Sequence, residues 1–307
     1  MDWTLLVIQT LNGLQLGVLL FLLAAGLTLV FGIMDFINLA HGSLYMVGAY
    51  FCALIADLTG SFLLGALAAL PLTFAVGLAL ELLVVRKLYA RDHLDHVLAT
   101  FGLILFFDAA IQLIFGPEGI AIALPAFLDG RVSLGPSIEF PTYRLVIILV
   151  GLAVAAGLAA VVGATRIGAL IRAGASNRRM LGALGVDVNR LFTLVFAAGA
   201  ALAGLAGLMM APITEAHVGM GNNILIVALV VIIIGGIGSV RGAFIAALLV
   251  GMIDTMGRAF LDTAMKLVLS PQNAETAAPA LSAMLIYILM AVILAVRPQG
   301  LFAPKGR

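Results

Sequence analysis

Residues 31–50 read FGIMDFINLAHGSLYMVGAY, in which Asp35, Asn38 and His41 recur three apart and a glycine follows the last of them. They lie in a stretch from Trp3 to Leu58 that is otherwise almost unbroken hydrocarbon. Three-residue spacing brings side chains to one helical face, and two readings follow. If the chain turns in water at 34–41, Asp35 is solvated and Asn38 caps the next helix. If the helix break lies deeper, Asn38, His41 and Ser43 project into an internal pathway or its gate, and Gly42 lets another element pack closely beside them.

Other groups invite chemistry and fall short of it. His93 and His96 in RDHLDH stand three apart beside Asp92 and Asp95, but a metal site needs more ligands than this cluster offers. A capped, solvated helix start accounts for them, and no metal is expected. Ser239 with His41 or His217 lacks both the nucleophile motif and the orienting acid of a hydrolase. GGIGSVRG, residues 235–242, lacks the Lys and Ser/Thr of a G-x-x-x-x-G-K-[ST] phosphate loop, which occurs nowhere in the chain. Gly235, Gly236, Gly238 and Gly242 suit a helix break or tight helix packing instead, as do the small-residue pairs Ala200/Gly204 and Ala203/Gly207. Asp108 and Asp254 fall in hydrophobic segments, where a charge is costly unless it faces a cavity or a partner. An ion-coupled secondary carrier would use such carboxylates. These two lie near span ends with no acidic-basic relay, so helix-end or interface contacts are expected.

Composition dictates what must position these residues. Of 307 residues, 64% are hydrophobic and 10% charged, far from the roughly 45–50% apolar and 25% charged of a soluble domain. Hydrophobic segments occur at 4–33, 36–57, 61–85, 97–116, 143–163, 191–212, 224–240, 243–261 and 278–296. Backbone groups cannot face lipid unpaired, so each crossing should be a helix. The fold class is all-α, a polytopic transmembrane helical bundle of eight or nine spans, with the Gly-rich joins at 31–42 and 235–242 as places where a helix can break or re-enter. No soluble module interrupts it, so residues 1–307 form a single transmembrane domain and catalysis in an attached globular domain is not expected. The 16 basic and 15 acidic residues form no basic face, so no nucleic-acid partner is expected. Cys52 stands alone in a hydrophobic segment, and the opening MDW lacks the basic region of a secretory signal, so the first segment is expected to be retained.

Lys and Arg favour the cytoplasmic side of a membrane. With the amino terminus outside, that side receives Arg86, Lys87, Arg91, Arg166, Arg172, Arg178, Arg179, Arg190, Arg241, Arg297, Lys305 and Arg307. The other keeps Arg131, Arg144, Arg258 and Lys266, a bias of twelve to four. An odd number of crossings then puts the carboxyl terminus in the cytoplasm. Residues 117–142, with Pro117, Pro125, Pro136 and Pro141, read as an irregular external loop.

Between two spans on the positive side lies TRIGALIRAGASNRRMLGALGVDVNR, residues 165–190, too polar to cross a bilayer and too patterned for a plain loop. Ile167, Leu170, Ile171 and Gly174 follow helical spacing, and Leu181 and Leu184 continue the face. Ser176 and Asn177 can cap a second short helix that Gly185 ends. The opposite side carries Arg172, Arg178 and Arg179. The segment can rest on anionic headgroups, or it can dock a soluble partner, with Gly182, Ala183 and Gly185 allowing close approach.

ALIRAGASNRRMLGALGVDVNRL resembles the cytoplasmic loop of ABC importer permeases that supplies the coupling helix. FGIMDFINLAHGSLYMVGAY, GGIGSVRGAF and the terminal RPQGLF, in that order, resemble the branched-chain amino acid permeases of that superfamily, and the length resembles the shorter of their two paralogues. The resemblance implies a permease subunit that moves branched-chain or related small amino acids by alternating access. It implies coupling to an ATPase through Arg172, Asn177, Arg178, Met180, Gly182, Ala183, Leu184 and Gly185. The implied partners are a second permease or a second copy of this chain, two ABC ATPase subunits and a periplasmic or extracellular substrate-binding protein. No cofactor is implied in this chain, ATP and Mg being held by the partner ATPases. The implied location is the bacterial inner membrane. Permeases for urea or short amides look similar, and sequence alone does not separate these substrates.

Overall fold

Long runs of Leu, Val, Ile and Ala leave the backbone no water to bond to, and helices satisfy it internally. The computed structural model describes residues 3–135 and 138–302. Pro136 of the external loop and Lys305 and Arg307 of the positive set lie outside the described residues. In chain order the helices are α1 (Trp3–Met34), α2 (His41–Thr59), α3 (Phe62–Leu83), α4 (His93–Phe115), α5 (Thr142–Ala164), α6 (Arg166–Ala183), α7 (Val188–Thr214), α8 (Met220–Gly235), α9 (Val240–Met265) and α10 (Pro271–Val296). A 3-10 turn at Val85–Leu88 follows α3.

Among the described residues, eight helices are long and apolar enough to cross a membrane, so the protein is a multi-pass membrane protein. The hydrophobic segment predicted at 224–240 is α8, but its 16 residues span only about 24 Å, short of the roughly 30 Å of a hydrocarbon core. The nine hydrophobic segments are therefore, among the described residues, eight long helices and one short one, within the eight or nine spans expected. The loop at 117–142 is less irregular than predicted. β1 (Arg131–Gly135) and β2 (Ile138–Pro141) pair antiparallel, with Val132 opposite Phe140 and Arg131 bonded to Glu139.

Helix α1 is the axis of the bundle, buried without a break from Gly17 to Val30. It packs along α9 and α7 and also touches α5, α6 and α8. Small residues set the spacing: Gly13 and Gly17 of α1 lie against Met252 and Leu248 of α9, and Gly48 of α2 lies on Gly204 of α7. A Cβ at any of these four would overlap a neighbour, so the sequence buries its glycines where helices cross.

One end of the bundle gathers the end of α1, the turn at 85–92, α6, the α8–α9 join and residues 297–302. Gly32 touches Gly238 there, and the Leu301 N–H donates to the Ile234 carbonyl at 2.8 Å. All the described members of the positive set lie at this basic end. The opposite end holds the hairpin, a bridge between Ile120 and Ala216, and the α9–α10 join.

Candidate translocation site and coupling segment

The helix break around Asp35 is deep. Asp35 adopts a left-handed backbone (φ 54°) and its half-exposed carboxylate stands 4.0 Å from His93. From there the chain runs back alongside α1, and the His41 Nε2 donates to the Leu23 carbonyl at 3.2 Å. Leu23 lies 11 residues before Met34, about 16 Å along the helix axis. Helix α2 thus begins inside the bundle, five residues later than the segment predicted from 36. Asn38, His41 and Ser43 are each no more than 2% exposed. Asn38 does not cap α2 as one of the two readings had it: the N-cap is Ala40, and no side chain bonds the open N–H groups. Among the described residues the Asn38 amide nitrogen, the His41 Nδ1 and the Ser43 hydroxyl have no partner, nor has the Thr28 hydroxyl on α1. Buried polar groups are ordinarily paired, so these four stand out in an otherwise apolar core.

A second helix start meets the first. A Cβ on Gly42 would strike the Gly221 carbonyl, and one on Gly221 would overlap the Gly42 carbonyl. The first turn of α8 therefore lies on the first turn of α2, which is why α8 is short: it too begins inside the bundle. Both starts carry the partial positive charge of a helix N-terminus. The adjacent Asn222 donates to Asp108 of α4 at 3.1 Å, an interface contact of the kind expected for that carboxylate. Asp254 is held by Arg258 on its own helix through two bonds of 2.9 and 3.0 Å.

Sequence reading passed over Glu81. It is fully buried and takes bonds from Arg86 Nε at 3.2 Å, Arg86 Nη2 at 3.0 Å, the Tyr89 hydroxyl at 2.9 Å and the Thr193 hydroxyl at 2.9 Å. Burial, reinforced by the Glu81 carboxylate, pushes the Tyr89 phenol above its ordinary value, so it remains a donor. Tyr89 also packs on Phe36 and Phe192. The network joins α3 and its 3-10 turn to the first turns of α7 and to the re-entrant segment. Its signal in the sequence was a lone Glu in an apolar span five residues before an Arg. His96 belongs to the same neighbourhood: it is buried against Phe36 at 4.5 Å, with Nε2 bonded to the Leu88 carbonyl at 2.9 Å. The solvated helix start predicted for the RDHLDH pair holds for His93 and is corrected for His96.

Helix α6 is two helices joined at Asn177, whose φ and ψ of −155° and 94° break the run. The Asn177 Oδ1 accepts from the Met180 N–H at 2.9 Å, the predicted cap. At the far end Gly185 is left-handed (φ 83°), and the N–H groups of Gly185 and Val186 return to the carbonyls of Gly182 and Leu181, a Schellman stop. The buried face comprises Gly168, Ile171, Gly174 and Leu181. Ile167 and Leu184 are exposed, 46% and 74%, which corrects the predicted stripe: they sit in the first turn and at the C-cap, the two ends of the segment. Exposed Met180 and Leu184 form an apolar tip beside Gly182 and Ala183, with Arg178 and Arg179 exposed alongside. Arg172 turns back to the α5 carbonyls of Val162 and Gly163 and fastens the segment to its neighbour. Gly174 lies 3.3 Å from the Ile33 side chain when given a Cβ, so α6 rests on the end of α1, next to the re-entrant turn.

The glycines at 235–242 form a tight join. Gly236 and Gly238 are left-handed (φ 98° and 85°), Gly235 and Gly242 lie against each other, and Gly238 touches Gly32. The join thus closes α8 onto α9 and abuts the end of α1. Phe302 completes it, donating to the Gly235 carbonyl at 3.1 Å beneath the Arg241 guanidinium.

Eight apolar spans around a buried polar helix break, with a polar segment resting on one end, define a polytopic helical membrane protein. Residues 9–294 match the family model "Branched-chain amino acid transport system / permease component", and the chain belongs to that family. It is 29% identical to the high-affinity branched-chain amino acid transport system permease protein LivH of Escherichia coli (strain K12), over 95% of this chain and 94% of the relative. It is 30% identical to the corresponding protein BraD of Pseudomonas aeruginosa, over 81% and 85%. The LivH of Salmonella typhimurium is 28% identical over 95% and 94%. No solved structure matches the chain.

Proposed function

We propose that this chain is a transmembrane subunit of an ATP-driven importer that moves branched-chain or related small amino acids into the cell by alternating access. The family match over residues 9–294 carries the reading. The basic end faces the cytoplasm, with the amino terminus outside and the carboxyl terminus inside, in the inner membrane of a bacterium. The sequence has no phosphate loop, so separate ABC ATPase subunits bind ATP and Mg. Their cleft receives the tip formed by Met180, Gly182, Ala183, Leu184 and Gly185, with Arg178 and Arg179 at its rim. A second permease completes the pathway, and an external binding protein supplies the substrate and most of its selection.

In this reading the paired starts of α2 and α8 form the gate. Their N-termini favour the substrate carboxylate, and the unpaired groups of Asn38, His41 and Ser43 exchange partners as the gate opens. His41→Ala removes the bond to the Leu23 carbonyl and is expected to lower leucine uptake about tenfold with unchanged membrane abundance. Normal uptake by this variant would remove His41 from the gate.

The coupling role has its own test. Gly185 is left-handed, so a side chain there strains the backbone whatever it touches. Gly182 is the cleaner position, because a Cβ there meets only the Val188 methyl at 3.8 Å. Gly182→Trp should leave insertion intact and abolish substrate-stimulated ATP hydrolysis in the reconstituted complex. Vanadate-sensitive leucine uptake by proteoliposomes tests the whole reading, and gradient-driven uptake by the single chain would sink it.

A further inference from the structure

At the end of the bundle opposite α6, helices α9 and α10 part around a cavity of about 370 Å3, within the roughly 300–1,000 Å3 of small-ligand pockets. Next to it, Gly257 of α9 lies against Leu285 and Ser282 of α10, where a Cβ would meet them. Lys266 ties two of the lining residues together, bonded to Asp262 and Glu275 at 2.9 Å each. Arg258 and Asp262 line one wall and Glu275, Ala278, Pro279 and Ser282 the other. The α9 residues belong to a ladder, Asp254, Arg258, Asp262 and Lys266, whose four-residue spacing places them on one face.

Several polar groups in this cavity are uncommitted. Asp254 occupies Nε and Nη2 of Arg258, leaving Nη1 without a bond. Asp262 gives Oδ2 to Lys266, while its buried Oδ1 has no partner. Ser282 is 2% exposed, and among the described residues its hydroxyl has none either. Pro279 lies inside α10, and its missing N–H deprives the Glu275 backbone carbonyl of a helical donor. The α9 wall thus carries the Arg258 guanidinium and the Asp262 oxygen, and the α10 wall carries the other two acceptors beside the apolar surfaces of Ala278 and Pro279.

A simple anion would meet the Asp262 and Glu275 carboxylates, and a simple cation would meet Arg258. A primary ammonium offers three protons for the three acceptors, and an anionic group on the same molecule completes Arg258. We propose that this crevice binds a small zwitterion bearing a primary ammonium, and that its ligand is a free aliphatic α-amino acid. An aminophospholipid headgroup offers the same ammonium and anion from another source. Only the identity of the ligand rests on the transport reading. In that reading the crevice lies on the external side, where substrate arrives.

The test is direct binding of radiolabelled leucine to the permease with its co-purifying subunits, in nanodiscs of phosphatidylcholine and without any binding protein. Saturable binding is expected. Asp262→Asn should weaken it about tenfold and Ser282→Ala about threefold. The α-keto acid of leucine, which lacks the ammonium, should fail to compete against the wild-type complex, a readout that needs no variant. Binding unchanged in both variants, or effective competition by the keto acid, would overturn the proposal. Loss of leucine binding when phosphatidylethanolamine replaces phosphatidylcholine would assign the crevice to lipid and overturn the amino-acid ligand. Uptake by the complete system without leucine binding to the wild-type permease would remove the crevice and leave the transport reading standing. Absence of uptake would remove the latter.

Discussion

Glu81→Gln is expected to lower the thermal unfolding midpoint of the purified protein by about 5–10 °C and to reduce uptake at least in proportion. The glutamine keeps one acceptor and turns the other into a donor. Glu81 is surrounded by donors, two from Arg86 and one each from Tyr89 and Thr193, so an amide N–H must face one of them. Removing one partner of a buried ion pair costs about 3–5 kcal/mol. Arg86 is 37% exposed at its side chain, so water takes up part of the orphaned charge and the lower figure applies. Glu81→Asp should recover part of the loss, because it keeps the charge and gives up only reach. A midpoint within about 2 °C of wild type would mean that the network does not hold α3 to α7.

The second large effect is expected at the meeting of α2 and α8. Gly221→Ala places a methyl group on the Gly42 carbonyl, which is backbone and cannot rotate aside. Helix α8 must shift, and overpacking of this kind costs about 1–3 kcal/mol. Uptake should fall more than about tenfold, since the displaced turn is the one beside His41. Gly157→Ala on α5 is the control: a Cβ there has nothing within 4 Å, and abundance and uptake should match wild type. Equal uptake by the two variants would show that the close approach of α2 and α8 is not needed for transport.

These two positions also mark how far the sequence can be read. Helix locations follow from hydropathy, because the backbone in lipid has no alternative. Asn177 as a cap and Gly185 as a stop follow from local chemistry. The depth of the break at 35–40 was not legible. It is set by the contact of Gly42 with Gly221, far apart in the chain, and by the bond from His41 to Leu23. A hydropathy window also averaged Glu81 away among leucines, although its partner Arg86 was already counted for its charge. The stripe on α6 fails at Ile167 and Leu184 because spacing assigns a face but does not show where, at the two ends of the segment, the neighbouring helices stop covering it. Only long-range contact separates the solvated from the buried reading of Asn38.

The join at Gly235 to Gly242 has a consequence for biosynthesis. The last carbonyls of α8 accept from the N–H groups of Leu301 and Phe302, which leave the ribosome only after α9 and α10 have been made. Helix α8 is therefore made with its last two carbonyls still open, and they are closed only when residues 301 and 302 arrive. The segment after α10 thus acts as a late clasp on a helix whose other contacts, to α1, α2 and α9, are already available.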